Sequence, residues 1–337
     1  MHMADALVSP AVAGTMYVLA TGAAAYSVKK VREENDPKKI PVMGVMGAFV
    51  FATQMLNFTI PGTGSSGHLC GGMMLSALLG PFAGFLTMIG VLLVQCLLFA
   101  DGGLLALGCN VWNMAFYGCF IGALLIWKPL MKKGASKGKI ALASILGCVL
   151  TLQLGAFSVS LETLLSGVTE LPFSVFVATM QPIHLAIGFV EGRITAAVLI
   201  FIHEARPELL WGVGSESTVK EGKLSFKNTV IVLAVAAAIC GGIVSLFASA
   251  FPDGLEWSME NVAGTSELEA AGNAYETAAG IQETTSLLPD YAFKGSESVF
   301  GTSFSGIVGA LAVVLITVGA CYAFKFFKKK DSNSSLA

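Results

Sequence analysis

Long apolar runs separated by short polar segments govern this chain. Runs of about 20 apolar residues cross a bilayer as helices, and such runs lie near residues 8–28, 41–58, 69–80, 82–100, 104–127, 139–159, 173–202, 229–250 and 305–325. The third is too short to cross alone, and Gly80-Pro81 breaks it from the fourth. It is expected to tilt, or to dip inward from a re-entrant loop packed in protein. The pattern predicts an all-α polytopic membrane protein of about nine transmembrane segments, seven N-terminal and two C-terminal. No internal repeat relates one half to another, which argues against a transporter with duplicated halves.

The polar segments orient the spans. Five basic residues fall in 29–39, five in 128–139, five in 193–227 and four in 325–330, leaving only Lys294 of the 20 in the chain. Basic residues collect on the cytoplasmic side, and nine spans with the N-terminus outside put all four clusters there. The N-terminus, 58–68, 101–103, 160–172 and 251–304 then lie outside. The last of these carries nine carboxylates, from Asp253 to Glu297, against one lysine, and is rich in Gly, Ala, Ser and Thr. Such a composition predicts only partial order. The chain accordingly divides into a membrane domain over 1–205, a polar cytoplasmic linker over 206–228, and a two-span unit over 229–337 with its extracytoplasmic loop at 251–304. The first apolar run lacks a basic segment ahead of it, since Lys29 and Lys30 follow instead, so it reads as a retained helix and not a signal peptide.

Composition agrees. The chain is 55% hydrophobic and 12% charged, with a mean hydropathy of +0.74, where soluble domains carry roughly 25% charged residues. The expected surroundings are the lipid bilayer. No basic, aromatic-interleaved stretch points to nucleic acid. The seven cysteines stand singly, none in 251–304 and none as a C-x-x-C pair, so they read as small buried hydrophobes.

Topology sorts the four histidines. His2 and His68 are outside, His184 lies in the seventh span, and His203 is at its cytoplasmic end. A Met-His start offers three nitrogens in succession: the α-amine, the amide of His2 and its imidazole. Binding through all three closes a five-membered and a six-membered chelate ring, and a second imidazole from His68 would complete a planar four-nitrogen set. That geometry suits Ni(II) or Cu(II), with Co(II) plausible, whereas magnesium and calcium want oxygen. The bulk of His2 is also expected to protect Met1 from removal. The loop Pro61-Gly62-Thr63-Gly64-Ser65-Ser66-Gly67-His68 is glycine-rich enough to approach the N-terminus closely. Thr63, Ser65 or Ser66 is expected to fix the His68 tautomer, and Asn110 and Asn113 in the fifth span are candidates for the surrounding shell.

Blander readings stand beside this one. A histidine at position 2 arises by chance, and glycine-rich loops between membrane helices are common. The loop is no P-loop, because the Gly-Lys-Ser/Thr ending is absent. A serine hydrolase at Ser65 or Ser66 with His68 is weakened by the lack of a third orienting group. A metal-independent channel or secondary transporter for another solute would use the polar residues of spans five and seven. Of these, Glu191 and Arg193 are expected to pair with each other or with the interface, and Gln181 and His184 to hydrogen-bond between helices. Cys70 reads as a packed small residue.

The opening Met1-His2-Met3-Ala4-Asp5-Ala6-Leu7, the loop from Asn57 through Gly67-His68-Leu69, the stretch Gly108-Cys109-Asn110-Val111-Trp112-Asn113-Met114-Ala115, and His184-Leu185-Ala186-Ile187-Gly188 with Glu191-Gly192 resemble the CbiM/NikM family. These are substrate-capture components of energy-coupling-factor (ECF) transporters for nickel and cobalt. The resemblance spans roughly 1–205. After the eighth span, Pro252-Asp253-Gly254-Leu255-Glu256-Trp257 looks like the PDGLE element of the family's small two-span companion, so the chain resembles a fusion of the two. The resemblance implies metal ligation by the Met1 amine, the His2 amide and imidazole, and the His68 imidazole. It also implies a membrane coupling subunit and a cytoplasmic ATPase pair as partners, no cofactor of its own beyond the transported Ni2+ or Co2+, no enzymatic activity, and residence in the prokaryotic cell (inner) membrane. Ala6 departs from the glycine usual in the family, while the acidic position before it is kept as Asp5, a possible outer-shell acceptor.

Overall fold

The computed structural model describes residues 1–169, 171–214, 222–296 and 298–334. Residues 215–221 of the predicted linker, and Glu297 of the acidic segment, lie outside the described residues. Helices α1 (Pro10–Glu34), α2 (Lys39–Gln54), α3 (Gly72–Leu79), α4 (Pro81–Phe99), α5 (Leu107–Met131), α6 (Lys137–Ser166) and α7 (Phe173–Ala205) form the N-terminal body. Helices α8 (Phe226–Gly242) and α11 (Val299–Ser334) flank two short helices, α9 (Gly254–Ala263) and α10 (Asn273–Thr285). Among the described residues, α1, α4, α5, α6, α7 and Phe300–Ala323 of α11 are long and apolar enough to cross a membrane, while α2 and α8 are shorter apolar helices. With α3 these are the nine apolar segments expected, and the protein is an all-α polytopic membrane protein.

The weakest span has a specific solution. Helix α3 has 8 residues, all buried, and at about 1.5 Å per residue it covers about 12 Å of a hydrocarbon core about 30 Å thick. Both its ends are finished by other parts of the chain. At its N-terminus the Glu191 carboxylate of α7 accepts from the Cys70 and Gly71 N–H groups at 3.0 and 2.9 Å, the favourable place for a negative group on a helix. Glu191 is therefore not the partner of Arg193, whose guanidinium lies over the Phe189 ring. At the other end Trp211 donates its backbone N–H to Ala77 O at 2.8 Å, and its ring packs on Gly80. The buried Trp127 indole donates to Trp211 O at 2.7 Å. The start of the linker thus closes the space beneath the short helix.

Elsewhere glycines set the close approaches. Gly72 of α3 meets the backbone of Met114 and Gly118 in α5, which is wound as a π-helix from Val111 to Trp127. Gly241 of α8 crosses Gly306 of α11 in backbone contact, and Gly44, Gly47 and Gly309 seat α11 on α2. These crossings use the small-residue packing available in lipid. Gln153 and Gln181 exchange side-chain to backbone hydrogen bonds between α6 and α7, as expected of Gln181. His184 instead bonds Met180 O within its own helix.

The acidic segment departs from expectation. It carries helices α9 and α10 and buries Leu255, Met259, Ala278 and Leu288. Its order comes from these few apolar anchors, which an average over its polar composition conceals.

Candidate metal site

The N-terminal thread is gripped at Met3. Its N–H donates to Asn110 Oδ1 at 2.7 Å, and its carbonyl accepts from Asn110 Nδ2 at 3.1 Å and from the Gly103 N–H at 2.9 Å. This fixes the register of Met1 and His2. Asp5 accepts from the Ala106 N–H, so it braces the 101–106 loop. Ser9 caps α1 with Pro10 behind it. Asn113 reaches the Met3 sulfur and donates to the buried Glu162 of α6 at 2.7 Å. Asn110 is a positioning residue. We expect Asn110→Ala to leave buried backbone groups of Met3 short of partners at about 1–3 kcal/mol, and to weaken nickel binding about tenfold with every donor intact. Calorimetry reads this, and unchanged affinity would show that Met3 is held without it.

His68 follows a small hairpin, β1 (Phe58–Ile60) paired antiparallel with β2 (Ser65–Gly67). Gly62 and Gly64 make the turn at φ +78° and +75°, and Gly67 presses on Ile187 where a Cβ would fall 2.5 Å from its side chain. The His68 Nδ1–H donates to Leu69 O at 3.0 Å, leaving the Nε2 lone pair directed at the Met1 amine, 3.0 Å away. Leu69 O, and not Thr63, Ser65 or Ser66, fixes this tautomer. The adjacent carbonyl is already in reach of the ring, whereas the serines are drawn to another segment: the Ser66 hydroxyl donates to Phe251 O at 2.7 Å and its N–H to Pro252 O at 2.8 Å, and Ser65 Oγ bonds Ser66 O. No serine–histidine pair forms.

That other segment carries the Pro-Asp-Gly-Leu-Glu sequence, and each residue has a task. Pro252 offers its carbonyl to the hairpin. Asp253 caps α9 through Oδ1, which accepts from Leu255 and Glu256 N–H groups at 2.8 and 3.0 Å, and Glu256 closes the capping box. Gly254 sits against His184 and Ile187, Leu255 is buried, and Trp257 donates its indole N–H to Thr63 O. Asp253 Oδ2 is free of the cap and accepts from the Met1 amine at 2.5 Å, lying 3.5 Å from His68 Nε2.

The His2 ring stacks on His68 with centroids 5.2 Å apart. Its nitrogens lie 3.1 Å from Asp101 Oδ1 and 3.2 Å from Gln95 Oε1, and Asp101 in turn accepts from the Tyr291 hydroxyl. Asp101 and Gln95 thus hold the His2 ring beside that of His68. Asp101, Gln95 and Tyr291 were not singled out from sequence, and Asp253 was named only as part of the PDGLE element; the Asp-x-x-Glu of a capping box was its further local signal.

Electrostatics follow the same contacts. Burial lowers the Met1 amine's pKa, but the Asp253 carboxylate outweighs it and holds the amine above its ordinary 8.0. Burial pushes His2 down to about 4, with Asp101 opposing, so the imidazole is neutral. Burial raises Asp253, yet the ammonium of Met1 wins and holds it well below the carboxylate range. The site opens on a cavity of about 830 Å³ whose lining includes Asp5, Asp101, Asp253, Glu256, Glu276 and Asp290 and no lysine or arginine. Among the described residues no three His, Cys, Asp or Glu side chains are grouped to hold a metal ion.

Residues 2–209 match the family described as the cobalt uptake substrate-specific transmembrane region, CbiM, and residues 227–326 match the PDGLE domain. The chain belongs to the CbiM family. This CbiM-family chain is 36% identical over 317 residues to a putative fused nickel transport protein NikMN of Archaeoglobus fulgidus, covering 94% of this chain and 96% of that one. It is 28% identical to the cobalt transport protein CbiM of Geobacter sulfurreducens, covering 73% and 71% of the two chains. The crystal structure of a truncated transition metal transporter is similar at 30% identity and a TM-score of 0.54, over 60% of this chain and 99% of that one. The relatives are transport proteins, and this CbiM-family chain is a multi-pass transport component, not an enzyme.

Proposed function

We propose that this chain captures nickel or cobalt at the extracytoplasmic face through the Met1 amine, the His2 amide and imidazole and the His68 imidazole, as the substrate-specific component of an ATP-driven ECF uptake transporter. The observation that carries the reading is the 3.0 Å separation of the buried Met1 amine and His68 Nε2. Metal–nitrogen bonds of about 2.1 Å place adjacent corners of a square about 3.0 Å apart. The acidic cavity supports it by drawing cations toward the site, and the relatives' transport of nickel and cobalt supports the choice of metal. The membrane domain would span 1–205, with the PDGLE unit of 229–337 joined through 206–228. In the prokaryotic cell membrane the chain would work with a membrane coupling subunit and a cytoplasmic ATPase pair, since it has no ATP-binding motif of its own.

Binding has a definite proton cost. The metal displaces the amine proton, and because Asp253 holds that pKa above its ordinary value, the competition already operates at neutral pH. Neutral His2 adds nothing until pH nears 4. Nickel affinity measured by calorimetry is expected to fall at least about tenfold per pH unit from pH 8 to pH 6. Equal affinity at the two ends would count decisively against amine ligation, and no binding of nickel or cobalt at pH 8 would end the reading altogether.

A further inference from the structure

The PDGLE domain places one donor where a four-nitrogen plane has none. We propose that Asp253 Oδ2 is an apical ligand to the captured metal, supplied by the companion domain; this rests on the capture site proposed above. The Met1 amine, His68 Nε2 and Asp253 Oδ2 form a triangle with sides of 3.0, 2.5 and 3.5 Å. The triangular face of an octahedron or square pyramid with bonds of about 2.1 Å has sides of about 3.0 Å. In the nitrogen plane, the amine's two neighbours are the His2 amide and His68. A donor adjacent to both the amine and His68 therefore stands above the plane. The carboxylate is held for this place, because Oδ1 is committed to the cap of α9 and Pro252 is bonded to the hairpin two residues before His68.

Asp253→Ser separates the two oxygens, since serine still caps a helix but is too short and uncharged to reach the metal. Copper(II) is the spectroscopic probe, because an apical oxygen moves its visible band to longer wavelength and raises g∥ in electron paramagnetic resonance. The full chain carrying Asp253→Ser is expected to bind copper with the band at shorter wavelength and g∥ lowered, and to bind nickel about 10–100-fold more weakly. Trp257 fluorescence, set by its bond to Thr63, verifies that the domain stays seated. If it changes, Asp253→Asn, which keeps the cap and the volume, is expected to show the same spectral shift. A copper spectrum identical to wild type in the seated variant, with His68→Ala still abolishing nickel binding, overturns the apical ligand and leaves the capture site standing. Wild-type protein that binds neither metal, or a His68→Ala spectrum matching wild type, overturns both.

Discussion

Adding a single residue ahead of Met1 is expected to abolish tight nickel binding, by about a thousandfold or more, equivalent to about 4 kcal/mol. Two effects act together. The primary amine becomes an amide nitrogen, which can bind only after giving up its own proton, as the His2 amide does. The position is also closed: Met1 is 4% exposed, its methyl packs on Gly155, and its amine is enclosed by His68 and Asp253. An added residue must dislodge Met3 from Asn110 or push the PDGLE segment off the hairpin. Calorimetry on extended and native-start proteins decides this. An extended protein that binds nickel as tightly as the native start even with its new terminal amine acetylated would remove the amine from the ligand set.

His68→Ala carries the second large effect. The substitution deletes one corner of the plane, the ring whose Nε2 lies 3.0 Å from the amine. The loss of nickel affinity should exceed the about 10–100-fold cost typical of outer-shell changes at metal sites. Folding should survive, because the hairpin register, the Gly67 contact with Ile187 and the serine bonds to 251–252 do not use the ring. A thermal melting temperature within a few degrees of wild type, combined with lost binding, is the expected pair of results. Retained binding would move the site elsewhere among the acidic groups of the cavity.

Both outcomes depend on contacts that were unequally legible in the sequence. Topology was legible, because basic residues and apolar runs are chain-local quantities that tertiary packing does not alter. The short third helix was also visible, through Gly80-Pro81, but its completion by Glu191 and Trp211 was not, since these lie more than a hundred residues away. Glu191 and Arg193 read as partners of each other or of the interface; a helix puts neighbours two apart on different sides, and the Glu191 carboxylate turns inward to α3. Met1, His2 and His68 could be grouped by side of the membrane and by donor chemistry. Asp253, 252 positions from Met1, was read only as part of the PDGLE element, because nothing local tells where its carboxylate points. Ser65 and Ser66 were misread for a related reason: adjacency to His68 along the chain says little when an edge strand has a more distant segment to bind.

The completion of α3 by Trp211 bears on how the cargo gets in. Beneath the eight-residue helix the seal toward the cytoplasm is a stopper and not a wall. Its contacts include one half-buried indole beneath Lys128, a hydrogen bond to the Ala77 carbonyl, one from Trp127, and a bond from the Gly214 N–H to Met131 O. Withdrawing it unwinds no helix and breaks no membrane-spanning backbone. Substitutions at Trp211 would therefore loosen the end of α3 without touching any of the membrane-spanning helices.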